Sequence, residues 1–268
     1  VFAYEEVRDE KGEVMHKSKG NAIWFDDAVE KMGADIMRLI YISHKPQFNL
    51  NFGYSPGKEI QRYLLVILNL ANYIKQNSKN LSKGYSKDPA SLWIFSRIEN
   101  LKLKVTNYLD ALEYHKALEE IKNFLLFDFS KTYIHFIRDD LDDGKVQKVL
   151  YDVYLDAITL LAPFLPFLTE KINLDVYEKE SIHLQVWPKV DKKLINSELE
   201  TAMNYSSEII QGIMATRDKV KMGVRWPLKK AIIYLHKENE KIADDIKSLT
   251  DLILKQTNLL KIEFIITD

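Results

Sequence analysis

The stretch IQRYLLVILNLANYI, residues 60–74, decides the fold class because its apolar side chains recur at helix spacing. Ile60, Leu64 and Ile67 lie three or four residues apart, and Ala71 and Ile74 continue the same spacing. Side chains at this spacing line one face of an α-helix. Most of the stability of such a helix comes from packing that face against a partner. The stretch therefore predicts one member of a helical assembly.

The same spacing recurs along the chain between about Pro46 and Pro188. Short connections rich in turn residues, such as NLSKGYSKDPAS and DLDDGK, separate the stripes, so we expect an antiparallel helix bundle over 46–188. Pro163 and Pro166 should break or kink the helix that starts near Gln147. The further stripes are Phe95, Ile98, Val105 and Leu109; Ile121, Phe124, Tyr133 and Phe136; and Val149, Val153, Leu160 and Phe164.

A first region, residues 1–45, opens like a β-hairpin. A strand-like run starts at Val1 and reaches Val7, the polar cluster RDEKG turns the chain, and residues 13–15 return. Because Val1 already lies within a strand-like run, we expect the chain to be a piece of a longer one. The hairpin would be the end of a preceding domain.

Two short helices are predicted within FDDAVEKMGADIMRLIYIS, residues 25–43. Asp26 or Asp27 can cap the first helix and Asp35 the second, because a carboxylate accepts hydrogen bonds from the free N–H groups of a helix start. Gly33 fits the end of the first helix. These helices would connect the hairpin to the bundle.

A third region, residues 189–268, is predicted to be a small α/β unit. A helix is expected from about Ser197 to Lys219, followed by a strand at KAIIYL, residues 230–235. One or two helices should span about Glu238 to Lys255, before a second strand at LKIEFII, residues 260–266. The fold class is therefore mainly α, with a hairpin and loop before the bundle and a small α/β unit after it.

Composition limits the possible classes of function. The 268 residues are 46% hydrophobic with a net charge of -1, so a polyanion would have to meet local basic patches. The absence of cysteine excludes disulfides and a thiolate zinc site and fits a reducing cytoplasm. Six histidines show no paired metal-ligand spacing, so no metal site is expected. No apolar run reaches the roughly 18 residues of a membrane span.

The stretch EVMHKSKGN concentrates positive charge directly after the hairpin turn. Lys17 and Lys19 supply ammonium donors, and His16 and Ser18 can add further donors to a phosphate. Gly20 lets the backbone approach an anion closely. The residues alone leave two interpretations open, which are a phosphate-binding loop and a solvated loop whose lysines only maintain solubility.

MHKSKGN resembles the second signature of class I aminoacyl-tRNA synthetases, which is Lys-Met-Ser-Lys-Ser followed by Leu-Gly-Asn. Lys17 falls on the second signature lysine, Val14 replaces the first lysine, and His16 replaces the serine. The resemblance continues in order along nearly the whole chain. Residues 25–43 resemble the segment that follows this signature in the family. Residues 92–118, 127–141 and 160–172 resemble the helical anticodon-binding domain of the synthetases for branched aliphatic amino acids. SIHLQVWP (181–188) and VRWPLKKAIIYL (224–235) resemble the isoleucine enzymes in particular, and the whole implies an archaeal type.

The resemblance implies the carboxy-terminal part of a synthetase that activates isoleucine with ATP and magnesium and transfers it to isoleucine tRNA. It implies that Lys17 acts catalytically and that His16, Lys17, Ser18 and Lys19 bind the ATP phosphates. The family's nucleotide-binding fold and its His-x-Gly-His signature are absent from these residues. We therefore expect the chain alone to be inactive and to bind no cofactor itself, and either Lys19 or His16 to substitute for the lysine lost at Val14.

The resemblance also implies that the helical region binds the anticodon arm of tRNA. Aromatic side chains can stack on splayed loop bases while basic side chains hold the phosphates. Aromatic residues at helix spacing are more often core, so the basic residues are the better candidates. We expect tRNA contacts from Arg97 and Arg138, unless they only form salt bridges, and from Arg217, Lys219, Lys221 and Arg225 in the run TRDKVKMGVRWPLKK.

Two alternatives remain open at this point. A valyl-type or other aliphatic synthetase shares the helical domain, and only the two isoleucine-like segments argue against it. A free-standing helical interaction module would show the same helix periodicity, but it would have no need for a half-hairpin followed by a basic loop that ends in glycine.

Overall fold

The computed structural model describes residues 6–237 and 240–267, without the side chains of residues 240–242. The strand-like run at residues 1–4 and the first two residues of the helix expected from Glu238 lie outside the described residues. The protein is mainly helical with two small sheets, as the sequence predicts.

The predicted hairpin is reduced to a single antiparallel bridge between Arg8 and Val14. Strand β1 (Val7–Arg8) pairs instead in parallel with β2 (Leu50–Asn51), with Val7 opposite Leu50. The antiparallel return to residues 13–15 is therefore present at Val14, and β2 is a parallel partner of β1 that a local pattern does not predict, because it follows two helices later in the chain.

Helices α1 (Phe25–Met32) and α2 (Ala34–Ile42) are separated by Gly33, whose φ of 85° is in the left-handed region that favours glycine. The predicted caps are wrong. Trp24 is at the N-cap of α1 without a side-chain hydrogen bond, which leaves Asp26 and Asp27 within the first turn. Asp35 also lies within the first turn of its helix rather than at its cap.

The Asp35 carboxylate caps a different helix. It accepts hydrogen bonds from the backbone N–H groups of Leu168 (2.7 Å) and Phe167 (3.4 Å) at the start of α8 (Pro166–Ile172). Arg38, one turn further along α2, donates to the carbonyls of Pro163 (2.7 Å) and Phe164 (3.3 Å). These bonds attach the first region to the helical body.

The helical body begins at α3 and contains stretches of wider helix. Asp88 and Asp143 cap α4 and α7, and Pro166 occupies the first turn of α8. The helices are α3 (Tyr54–Asn77), α4 (Pro89–Asp110), α5 (Tyr114–Asn123), α6 (Ile134–Ile137), α7 (Gly144–Leu161) and α8; Phe124–Tyr133 and Asn173–Tyr177 are π-helical, and Lys17–Lys19, Arg138–Asp140, Ile182–Leu184 and Lys192–Leu194 are 3-10 helical.

One large apolar core joins α3, α4, α5 and α7. It confirms the helix stripes predicted from the sequence, since Ile67, Ile98, Ile121 and Val149 are at most 1% exposed. The outer stripe positions, such as Ile60, are half-buried and pack against the same core. The helix break is also confirmed, because α7 ends at Leu161 and α8 begins at Pro166.

The third region contains α9 (Ser197–Lys219), β3 (Ala231–His236), α10 (Glu240–Ser248), α11 (Thr250–Thr257) and β4 (Ile262–Thr267). Strands β3 and β4 are parallel, with Ala231 opposite Ile262 and His236 opposite Thr267. A parallel pair needs a crossover connection, and α10 and α11 supply it. Helix α9 packs against α4, α10 and α11 and so joins this region to the body.

The described part of the chain has neither a candidate membrane-spanning helix nor a candidate metal-binding cluster. None of the helices described is both long and apolar enough to cross a bilayer. Likewise, within residues 6–237 and 240–267 no group of three or more histidine, aspartate or glutamate side chains is placed to hold a metal ion.

Candidate functional site

The basic loop, residues 16–20, follows the bridge at Val14 and is exposed along its length. Lys17, Ser18 and Lys19 form one turn of 3-10 helix, closed by hydrogen bonds from Lys19 N to His16 O and from Gly20 N to Lys17 O, both 3.1 Å. Gly20 has a φ of 69°, which a residue with a side chain rarely adopts. The turn therefore directs its cations into solvent rather than into a core.

Asn21 holds the two ends of the basic loop together. Its side-chain oxygen accepts from the backbone N–H of His16 (2.9 Å), and its amide donates to the Val14 carbonyl (3.2 Å) and to the Asp9 carboxylate (2.9 Å). The bond from Asn21, followed by the one from the Glu13 N–H, lowers the pKa of Asp9, so this carboxylate stays ionised as a turn anchor. These hydrogen bonds thus hold the basic loop in a defined conformation.

Glu10 ties the turn before the basic loop to the helical body. Its carboxylate accepts from the N–H of Ser55 (2.7 Å) and from the Ser55 hydroxyl (2.8 Å) in the first turn of α3. A carboxylate is favourable there because helix starts carry free N–H groups and a positive end of the dipole. Ser55 is accordingly the main cause of the lowered pKa of Glu10.

Lys17 is exposed, and its ammonium lies 4.5 Å from the centre of the Trp24 ring. A cation over an exposed aromatic ring gains only about 0.5–1 kcal/mol, so this contact orients the ammonium without fixing it. Among the described residues Lys17 has no carboxylate within salt-bridge distance. Its charge is therefore available for an external anion.

The Arg97 side chain forms a salt-bridge network and does not present a free charge on the surface. Its guanidinium donates to Asp128 (2.8 and 2.9 Å) and to Glu200 (2.9 Å). Ser96 also donates to Glu200, as does Asn100. The network joins α4, the π-helical stretch and α9, so the structure corrects the expected tRNA contact at Arg97 in favour of the salt-bridge alternative.

Arg138 remains a surface cation. Its side chain is 67% exposed, and its ion-pair partner among the described residues, Asp139, is 3.9 Å away and also exposed. An exposed pair at this distance contributes little to stability, so Arg138 is free to contact another charge.

Arg217 is buried, which contradicts its predicted contact with tRNA. It is 1% exposed and donates to four backbone carbonyls, those of Trp226 (2.9 Å), Gly223 (3.3 Å), Thr257 (2.7 Å) and Asn258 (3.1 Å). The two terminal nitrogens of the guanidinium thus tie the loop after α9 to the end of α11. The physical reason for the correction is therefore that Arg217 supports the basic run from inside.

The other cations of the basic run that were predicted to lie on the surface are exposed. Lys219, Lys221 and Arg225 are all exposed. Lys221 has a φ of 54°, and its N–H bonds to the Asp218 carbonyl at 3.0 Å, so the chain reverses direction there. The three positive charges thus lie at the end of α9 and in the loop that follows it.

The large aromatic side chains of the helical region and of the basic run differ in their exposure to solvent. Trp93 and Tyr133 are 3% and 0% exposed and belong to the core, as the helix spacing indicated. The sequence reasoning missed Trp226, which is 70% exposed within the basic run. A tryptophan followed by proline between cations was the available signal, because charged residues are mostly exposed and favour an exposed position for a neighbouring ring.

Two parts of the chain match known protein families. Residues 91–233 match the family described as the anticodon-binding domain of tRNA ligase, and residues 1–52 match the family of class I tRNA synthetases (I, L, M and V). The first match covers more than half of the chain, so the chain belongs to the anticodon-binding domain family of tRNA ligases.

The curated relatives agree with each other. The isoleucine–tRNA ligase of Pyrococcus furiosus is 31% identical over 274 residues, which cover 94% of this chain and 25% of that ligase. That of Methanocella arvoryzae is 29% identical and covers 93% of this chain and 25% of the ligase. The chain thus spans about a quarter of the length of these curated relatives.

A solved structure supports the fold. The LeuRS of Agrobacterium radiobacter K84, determined as a ternary complex with tRNA and LeuAMS, is similar with a TM-score of 0.60. The similarity covers 71% of this chain and 24% of that one at 18% identity. At this identity the comparison concerns the fold alone.

Proposed function

We propose that this chain is part of an isoleucine–tRNA ligase, in which it binds the anticodon arm of tRNA and supplies the basic loop that meets the ATP phosphates. The order of the two family matches carries the proposal: the synthetase match at residues 1–52 includes the basic loop, and the anticodon-binding match at 91–233 follows it. The isoleucine–tRNA ligases among the relatives support isoleucine as the amino acid.

The proposed domains follow the predicted regions: residues 1–45 as the end of a catalytic domain, 46–188 as an antiparallel anticodon-binding bundle and 189–268 as an α/β junction. Packing of α4 against α5 and α7 supports the bundle, since short connections join neighbouring helices. Arg38 and Glu10 attach the first region to the body. Anticodon binding and the basic loop would therefore be mechanically connected. The cytoplasmic location stays a prediction.

The proposed chemistry assigns Lys17 to the ATP triphosphate, with His16, Ser18 and Lys19 as further donors. During amino-acid activation, negative charge shifts onto the departing pyrophosphate, and a cation placed there stabilises the transition state. Lysine suits a mobile loop because its charge is compact and carried on a flexible stem. Lys17 is exposed and bound only to Trp24 by a weak contact, which supports this role. Magnesium enters as part of the nucleotide substrate, and no residue of this chain is assigned to it.

The proposed tRNA surface consists of Arg138 and of Lys219, Lys221 and Arg225, which lie at the end of α9 and in the loop after it. Each is exposed, whereas Arg97 and Arg217 are engaged within the protein. Basic side chains that neutralise phosphates release counterions, so binding must weaken as salt rises.

The triple variant Lys219→Ala, Lys221→Ala, Arg225→Ala tests this surface. The slope of the logarithm of tRNA affinity against the logarithm of salt concentration should become shallower by about 2–3, close to one for each lost phosphate contact. Filter binding of the chain to isoleucine tRNA and valine tRNA across a salt series measures it, and a preference for valine tRNA would favour the valyl-type alternative.

A matched control removes the same charge elsewhere. Lys79, Lys83 and Lys87 are exposed on the connection between α3 and α4. Their replacement by alanine should leave the salt slope unchanged. If both triple variants reduce the slope equally, binding depends on overall charge and the proposed surface is wrong.

A further inference from the structure

We propose that Trp226 is a stacking platform for a nucleobase of single-stranded RNA, and that Lys221, Arg225 and Lys229 hold the phosphates beside that base. The inference deepens the proposed function, on which it rests, because it names a base contact that the charges alone do not provide.

The Trp226 side chain is presented to solvent. It is 70% exposed although tryptophan is among the most buried side chains on average. The described residues provide it with no ring–ring or cation–π partner. Its ring is therefore open for stacking.

The backbone below Trp226 is fixed from inside the protein. Arg217 donates to the carbonyls of Trp226 (2.9 Å) and Gly223 (3.3 Å), and the Trp226 N–H bonds back to the Gly223 carbonyl (3.1 Å). Asn258 donates to the Val224 carbonyl at 2.8 Å. A platform whose backbone is already ordered loses less conformational entropy when a ligand binds. The buried Arg217 side chain thus orders the backbone that carries Trp226.

The charges around Trp226 favour RNA over a protein partner. Lys221, Arg225 and Lys229 are exposed and have no salt bridge among the described residues, whereas Lys230 is neutralised by Glu263 at 2.7 Å. Protein interfaces are depleted of lysine, but single-stranded nucleic acid sites combine cations along the backbone with aromatic rings under the bases. An aromatic ring surrounded by free cations matches the second description.

The test compares Trp226→Leu with Trp226→Phe, using an adenosine RNA oligomer, the same oligomer in a duplex, and isoleucine tRNA. Trp226→Leu should weaken binding of the single strand about 5- to 150-fold, the range of one base–aromatic stack. Trp226→Phe should retain most of the affinity because a ring remains. The salt slope should stay unchanged for both variants, since no charge is removed.

Controls separate stacking from other effects. Phe167, 67% exposed on α8, gives a matched variant, and Phe167→Leu should bind the oligomer like the wild type. Equal weakening of single-strand and duplex binding by Trp226→Leu would contradict the stacking role. So would unchanged oligomer binding accompanied by a loss of self-association in sedimentation, because that result assigns the ring to a protein contact.

The outcome distinguishes this inference from the proposed function. If the wild type binds isoleucine tRNA with a steep salt slope but Trp226→Leu changes nothing, the stacking inference fails and the proposed function stands. If the wild type binds the oligomer through Trp226 but does not bind tRNA, the proposed function fails and the stacking platform stands.

Discussion

Replacing Lys17 by alanine in the full-length ligase should slow ATP–pyrophosphate exchange by about 10²–10³-fold. Removal of one donor that stabilises developing negative charge costs about 2.7–4 kcal/mol of transition-state stabilisation. Because the interaction is made mainly in the transition state, kcat and kcat/KM should fall together. The KM for isoleucine should change little, since the role proposed for Lys17 concerns the ATP phosphates and not the amino acid.

The control for this variant is Lys11→Ala. Lys11 is an exposed lysine in the turn before the basic loop, so its loss changes the charge by the same amount. Exchange should then remain close to that of the wild type. An unchanged exchange rate in Lys17→Ala itself would remove Lys17 from its proposed role.

Lys19→Ala in the same enzyme addresses the lysine that Val14 replaces. We expect a clear decrease in exchange for Lys19→Ala that exceeds the decrease for His16→Ala, because the Lys19 ammonium adds a compact, flexible positive charge next to Lys17 on the exposed turn. The reverse order would assign the compensation to His16.

The second large effect is on stability, at Lys102. This lysine is 6% exposed, and its ammonium lies 2.8 Å from the Glu99 carboxylate and 2.6 Å from that of Asp156 on α7. Burial alone would lower the pKa of Lys102, but Asp156 and Glu99 outweigh it and hold the pKa above its usual value. Lys102→Ala should lower the free energy of unfolding by about 3–5 kcal/mol, because it leaves the buried Glu99 carboxylate and the partly exposed Asp156 carboxylate without their cation.

Urea denaturation measures this loss as a lower midpoint at an unchanged slope. Lys104→Ala on the same helix is the control, since Lys104 is half exposed and its bridge to Glu120 should contribute at most about 1 kcal/mol. Equal effects of the two substitutions would contradict the importance of burial.

The stability deficit of Lys102→Ala should also depend on pH. Burial holds the pKa of Asp156 above its usual value although Lys102 opposes it, so without the ammonium the pKa of Asp156 should rise further above its unfolded-state value, near about 4. A raised pKa contributes stability below the unfolded value that is lost as pH rises. The deficit should therefore be smaller at pH 4 than at pH 7.

The helical body was predictable because helix periodicity is a local property. The stripe from Ile60 to Ile74 needed only the spacing of apolar residues, and Pro163 and Pro166 marked the break between α7 and α8. The predicted caps of α1 and α2 were wrong because capping depends on where a helix starts. Helix α1 starts at Phe25, after Trp24, and α2 starts at Ala34, after Gly33. The bond from Leu168 to Asp35 joins residues 133 positions apart, which no local pattern reveals.

The candidate site was likewise predictable only where its residues are adjacent in the sequence. The basic loop was found because its charges are adjacent in the sequence, whereas the burial of Arg217 depends on carbonyls contributed by α11 some 40 residues later. Arg97 likewise meets Glu200 across 103 positions. A sequence identifies a cation, but its partners are decided by the fold.

The most direct test of the central claim, that this chain binds the anticodon arm, is a competition measurement. Isoleucine tRNA bound to the chain is displaced either by an isolated anticodon stem–loop or by an acceptor minihelix of equal length. The account predicts that the stem–loop competes and that the minihelix does not. Equal competition by both RNAs, or displacement by the minihelix alone, would contradict it.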